Sequence, residues 1–155
     1  MPVTTGFTDV VVSWDVGTID PDSDDLPIGA LPNINNGTLT ALTRRVNQSL
    51  EIAMQLKFGS TTDPGGTPWY FTLKFANPRE SHPFVLPALA YDKSAARWYT
   101  GAAYCGHISA AAENNQLIVA AYFGQSVTGA GATVPFTWAT GDRLLIGNAL
   151  EAFDN

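Results

Sequence analysis

Between residues 50 and 58 the chain alternates without a slip. Leu50, Ile52, Met54, Leu56 and Phe58 are separated by Glu51, Ala53, Gln55 and Lys57. A period of two sends the two sets to opposite faces of a strand. Trp69, Phe71, Leu73 and Phe75 repeat the pattern against Tyr70, Thr72 and Lys74, and Leu39, Ala41 and Thr43 repeat it less cleanly against Thr40, Leu42 and Arg44. The breaks are short: Asn47-Gln48 in one case and residues 59–67 in the other. Three consecutive strands with such connections are expected to pair antiparallel, because a parallel pair needs a long crossover. One face is oily and the other mixed, as in a sheet that covers a core on one side.

Further strands are expected over residues 8–14, 84–91, 97–100, 103–109, 116–123, 133–137 and 143–153. Residues 84–91 are apolar on both faces. Gly101 separates the third and fourth of these runs from one another, and Val134 and Phe136 point inward from the run at 133–137. No segment holds a helical period, and residues 110–115 could form one turn at most. About nine or ten short strands at regular spacing indicate a sandwich or a barrel. The expected interior is Leu50, Ile52, Met54, Leu56, Phe71, Leu73, Phe136 and Ile146.

Residues 1–36 read differently. Pro21, Pro27 and Pro32 stand among Asp20, Asp22, Asp24 and Asp25. Proline lacks the amide donor and fixes φ, which keeps this stretch out of a sheet interior. The expected organisation is an extended N-terminal arm over 1–36 and one β domain over 37–155. Val10, Val11, Val12 and Trp14 are too apolar to be left in water, so the arm is expected to leave its own domain and dock on a partner.

Charge narrows the function. The 155 residues carry a net charge of −6, with 8 Lys and Arg against 14 Asp and Glu. So few cations suit neither nucleic acid nor an anionic membrane surface. No apolar run approaches the ~18 residues of a membrane span, and no basic-then-apolar start resembles a signal peptide. A single cysteine, Cys105, rules out an internal disulfide.

Candidate chemistry is sparse. The acidic run at 20–25 alternates carboxylates as calcium loops do, but it lacks the Gly and distal Glu and reads as a solvated linker. Cys105 and His107 share a strand face, yet zinc needs three or four ligands and the only other histidine is His82. There is no G-x-S-x-G elbow, no carboxylate pair for glycoside cleavage and no P-loop in the glycine-rich stretch 124–131. The sequence therefore assigns no catalytic residue, no metal site and no cofactor. Tyr91, Trp98 and Tyr99 flank a polar turn at 92–96 and are the candidate surface contact, as an aromatic platform for a sugar or protein.

Two motif sets carry a resemblance. Asn36-Gly37-Thr38-Leu39, Arg44-Arg45-Val46, Lys57-Phe58-Gly59-Ser60-Thr61-Thr62 and Trp69-Tyr70-Phe71-Thr72-Leu73 form the first. Val134-Pro135-Phe136-Thr137-Trp138-Ala139-Thr140-Gly141-Asp142, followed by Glu151-Ala152, forms the second. In this order they resemble a module of tail-fibre and minor tail proteins of tailed phages, over residues 36–153. Asn47, Lys74 and Leu150 stand where that pattern has Gly, Pro and Tyr. The resemblance implies an all-β protein, a two-sheet antiparallel β-sandwich of jelly-roll type. It also implies a homotrimer, displayed on the exterior of a virion assembled in the host cytoplasm, and no catalysis. Self-association agrees with a strand at 84–91 that is apolar on both faces. The expected partners are further copies of the chain, other virion proteins through the arm, and a host surface glycan or protein. A capsid decoration protein and a stand-alone carbohydrate-binding sandwich are the alternatives.

Overall fold

The computed structural model describes residues 7–16, 30–46, 49–74, 84–106, 116–124 and 129–147. Every regular element among them is a strand: β1 (Thr8–Asp9), β2 (Val11–Val16), β3 (Thr38–Val46), β4 (Ser49–Lys57), β5 (Trp69–Lys74), β6 (Phe84–Asp92), β7 (Arg97–Gly106), β8 (Gln116–Phe123) and β9 (Arg143–Gly147). They join into one nine-stranded sheet in the order β1-β3-β4-β9-β6-β7-β8-β5-β2. All neighbours are antiparallel. The all-β expectation holds, and the sheet is nearly closed into a barrel.

The hydrogen bonding describes one curled sheet where a two-sheet jelly-roll sandwich was expected. The physical reason is the placement of two late strands. β9 lies between β4 and β6, and β8 between β7 and β5, so the ladder runs round the molecule without the gap that divides a sandwich. The same placement corrects the expected three-strand meander. β3 and β4 do pair, from Thr38↔Lys57 to Val46↔Ser49. β5 does not join them; it crosses the barrel to pair with β8 and β2.

The alternation works as expected along each strand. Ile52, Met54 and Leu56 of β4 face Thr43, Ala41 and Leu39 of β3 and share the interior with Leu144 and Ile146 of β9. Leu86, Ala88 and Ala90, then Ala103 and Cys105, then Leu117, Val119, Ala121 and Phe123, then Trp69, Phe71 and Leu73 complete the buried lining. Of the expected core, Ile52, Met54, Leu56, Phe71, Leu73 and Ile146 are buried and Phe136 is half-buried against them. The side chain of Leu50 lies outside the described residues. Burying each large apolar side chain contributes about 1.5–3 kcal/mol, so this lining is the main source of stability.

Three boundaries differ from the sequence reading. Residues 97–106 are one continuous strand, because Gly101 lets the chain pass close under Phe123 without a break; a Cβ there would stand 2.7 Å from that ring. Residues 133–137 form no strand; Val134 makes an isolated bridge to Gly131 and both Val134 and Phe136 are half-buried. The described part of the last strand ends at Gly147, where φ is +130° and a Cβ would collide with the Ile52 carbonyl. Residues 75, 107–115 and 148–153 lie outside the described set.

The two ends of the sheet are brought together by one stretch of chain. β1 pairs with β3 at Thr8↔Thr43 and Asp9↔Leu42. The Val10 amide then donates to the Ala41 carbonyl over 2.9 Å. From Val11 onward the same chain pairs instead with β5, from Val11↔Lys74 to Val16↔Trp69. Val10 is thus the point at which one strand changes partner and closes the seam. Phe7 extends the seam outward, with the Arg44 guanidinium 4.5 Å above its ring and Glu51 paired to Arg44.

Candidate functional site

The two motif sets meet at one end of the barrel, and they hold each other. Asn36 accepts from the Thr61 amide and hydroxyl at 2.9 and 2.8 Å and donates to the Ser60 hydroxyl at 2.9 Å. Asn35 donates to the Thr61 carbonyl, and Thr62 donates to the Ile34 carbonyl while accepting from the Gly59 amide. The C-terminal motif adds a second tie. Asp142, 1% exposed, accepts from the amides of Lys93 at 2.8 Å and Ala139 at 2.6 Å. Its own backbone carbonyl accepts from Phe58, and the Phe58 carbonyl accepts from Gly141. Trp138 donates its indole N–H to the carbonyls of Gly131 and Val134.

Beneath these loops an aromatic chain fills the barrel end. Trp14 meets Trp69 at 4.9 Å, Trp69 meets Trp138 at 5.2 Å, and Trp138 stacks on Phe58 at 5.1 Å and on Phe136 at 4.5 Å. Phe136 passes the contact to Tyr99 at 5.1 Å. Most of the described residues that carry the phage-tail resemblance are therefore architectural and fix four loops over one end of the core, while Arg44-Arg45-Val46 lie at the other end of β3 and residues 151–152 lie outside the described set.

The structure divides the three candidate contact aromatics. Tyr91 and Trp98 are cross-strand partners on the outer face, with ring centroids 4.7 Å apart. Trp98 is 51% exposed. Tyr99 points the other way, into the aromatic chain, with the Arg97 guanidinium 5.0 Å above its ring. A shallow cleft of about 480 Å³ opens beside them between the start of β7, the end of β8 and residues 133–135, lined by Arg97, Trp98, Thr100, Thr133 and Pro135 among others.

Sequence reasoning missed what continues the outer row. Across the sheet Trp98 is opposite Tyr91, Tyr91 opposite Arg143, and Arg143 opposite Lys57. Two aromatics are followed by two exposed cations in one line. The register that makes this line depends on β9 lying between β4 and β6, and no local pattern announces that. Further along the same face lie Val85, Tyr104 and Tyr122, exposed at 67%, 37% and 38%. With Pro87, Leu89, Thr100 and Ala102 they make an outer face on β6, β7 and β8 that holds no charged side chain.

The expected docking residues are placed otherwise. Residues 8–16 do not leave the body: Trp14 is 8% exposed, and Val10 and Val12 pack against the core. Of the four candidate docking residues only Val11, at 68%, is exposed. The cause is register: β2 alternates, so the apolar residues that looked stranded in an arm include one face of a closing strand. The acidic run at 20–25 and both histidines lie outside the described residues. Among the described residues no group of three or more His, Cys, Asp or Glu could hold a metal ion. Cys105 is fully buried, and loss of hydration pushes its thiol pKa up to about 12, which leaves it a packing residue.

The chain is 33% identical over 111 residues to the "Mu-like prophage FluMu defective tail fiber protein" of Haemophilus influenzae. The match takes in 72% of this chain and 16% of that protein, so the chain spans a small part of its relative. No protein-family model matches the chain, and no solved structure matches it. The chain is related in sequence to a phage tail fibre protein.

Proposed function

We propose that the chain is a non-enzymatic structural module of a phage tail, carried on the exterior of the virion and serving host attachment. The likeness to a protein named as a tail fiber protein is the observation that carries this reading. The fold supports it. Its motif residues brace loops at one end of a barrel, which leaves the outer faces of the strands free to be presented.

The module works as a homotrimer in this reading, with further copies of the chain as the partners of the uncharged outer face. Val85, Tyr104 and Tyr122, exposed at 67%, 37% and 38%, are the centre of that face, and Trp98 at its edge stays uncovered. Tyrosine and tryptophan are the residues enriched at such contacts. Copies that each carry a net charge of −6 can meet at little electrostatic cost only where the touching surface is uncharged.

Labelling intact particles with an antibody to this chain tests the reading. Label at the tail is the expected result; label at the head would make it a decoration protein and overturn the proposal. Sedimentation of the purified chain should give three copies at micromolar concentration, and Val85→Lys should release monomers. A stable wild-type monomer would remove the trimer.

A further inference from the structure

Lys57 and Arg143 are directly opposite one another on adjacent strands, and both are exposed. Like charges in that position destabilise a sheet. The chain has only 8 basic residues among 155, so the pairing is not a by-product of a cationic surface. No acidic side chain stands among the outward residues of this row or of the next, Thr100, Leu89, Leu145 and Gln55. Among the described residues the nearby carboxylates are engaged elsewhere. Asp142 is buried on two amides, and Asp92 accepts from the Ser94 hydroxyl and the Ala95 amide, which hold it ionised below its usual range.

The other half of the row is an apolar surface of two rings tilted 36° to each other. Tyr91 and Trp98 lie side by side, and Trp98 keeps half its surface in water. An aromatic face next to a pair of cations suits one chemical class: a ring with an apolar face and an anionic substituent. Three strand spacings separate Trp98 from Lys57, about 15 Å, which is a length for a short oligosaccharide.

We infer that the row Trp98–Tyr91–Arg143–Lys57 binds an acidic saccharide. The pyranose faces stack on the two aromatics, and a carboxylate or phosphate lies between Arg143 and Lys57. The bound anion relieves the repulsion that the unliganded pair carries, so binding energy and stability are drawn from the same two side chains. This deepens the host-attachment reading and rests on it for where such a ligand is met.

The test is titration calorimetry on the whole chain with four probes: polygalacturonate, dextran bearing phosphate groups, plain dextran and polyglutamate. The first two, or either of them, should bind, and binding should weaken as salt rises. Plain dextran lacks the anion and polyglutamate lacks the ring, so each should bind at least tenfold more weakly. Trp98 is the exposed tryptophan of the four, since Trp14, Trp69 and Trp138 are 8%, 0% and 6% exposed, so the bound probe should change tryptophan fluorescence. Trp98→Ala, Arg143→Gln and Lys57→Gln should each reduce affinity about tenfold. The two glutamine variants should melt no lower than the wild type, which separates lost binding from lost fold. Failure of both acidic saccharides to bind overturns the inference. So does equal binding of polyglutamate, which would mark a docking surface for an acidic protein, and so do glutamine variants that bind as well as the wild type. Host cells that retain Trp98→Ala as well as the wild type sink this site and leave attachment standing. Cells that retain neither, while the acidic saccharides still bind, sink attachment and leave the site.

Discussion

Trp14 shows how a single residue can be read correctly for its chemistry and wrongly for its place. Its apolar bulk marks it as a side chain that must be covered, and it is covered by Trp69, Phe58 and Phe71 of its own chain. Trp14→Ala is expected to cost about 3–5 kcal/mol in denaturant unfolding. Among the described residues its indole N–H has no hydrogen-bond partner, so Trp14→Phe should recover much of that loss. A surface-docking tryptophan would show neither effect. Cys105 gives a pH-dependent prediction. Burial raises its thiol pKa from 9.0 to about 12, so above pH 9 the unfolded chain loses a proton that the folded chain keeps. Stability from this site is complete below pH 9 and is lost as pH rises toward 12. Tyr70 acts in the same direction, raised by burial and by the neighbouring Asp15 carboxylate. Cys105→Ala should flatten the alkaline decline measured by chemical unfolding, and thiol reagents should modify the wild type only as it opens. The inward residues were legible in the chain because alternation needs no partner to be seen. The line from Trp98 to Lys57 was not, because it is assembled from four strands whose order no local pattern specifies.

At the scale of elements, the loops hold information that their composition hides. The Asn-Gly-Thr and Gly-Ser-Thr-Thr stretches look like ordinary turns, yet they bond to each other across 25 residues of sequence. Asp142 does the same for the β6–β7 hairpin and the turn before β9, 49 residues apart. Asp142→Ala would leave the amides of Lys93 and Ala139 without their acceptor in a buried place. The expected cost is about 2–4 kcal/mol, read as a lowered unfolding midpoint, with Asp142→Asn intermediate because it offers a single neutral acceptor. The strand β6 was legible as apolar on both faces. Its inner residues meet the core and its outer ones, led by Val85, face out, which is the observation that a subunit contact would explain.

For the whole molecule, the deciding element is the seam. The proline-rich composition of the first 36 residues suggested an arm, but residues 8–16 of it are part of the barrel. A chain shortened to begin at Ala30 is therefore expected to lose cooperative unfolding, since it lacks β1, β2, Trp14 and Val16 at once. A sharp thermal transition in that chain, equal to the full-length one, would show that the closing strand is dispensable.

Because β2 and β3 approach each other across that seam, an incoming chain has little room to extend the sheet at its two ends. In the tail-module reading, neighbouring copies then recognise one another mainly through side chains. Backbone pairing accepts almost any sequence, whereas a side-chain surface changes its preference with each substitution. The outer face of this barrel can thus vary residue by residue while the ladder beneath it stays the same, and that is the property a lineage needs if its targets keep changing.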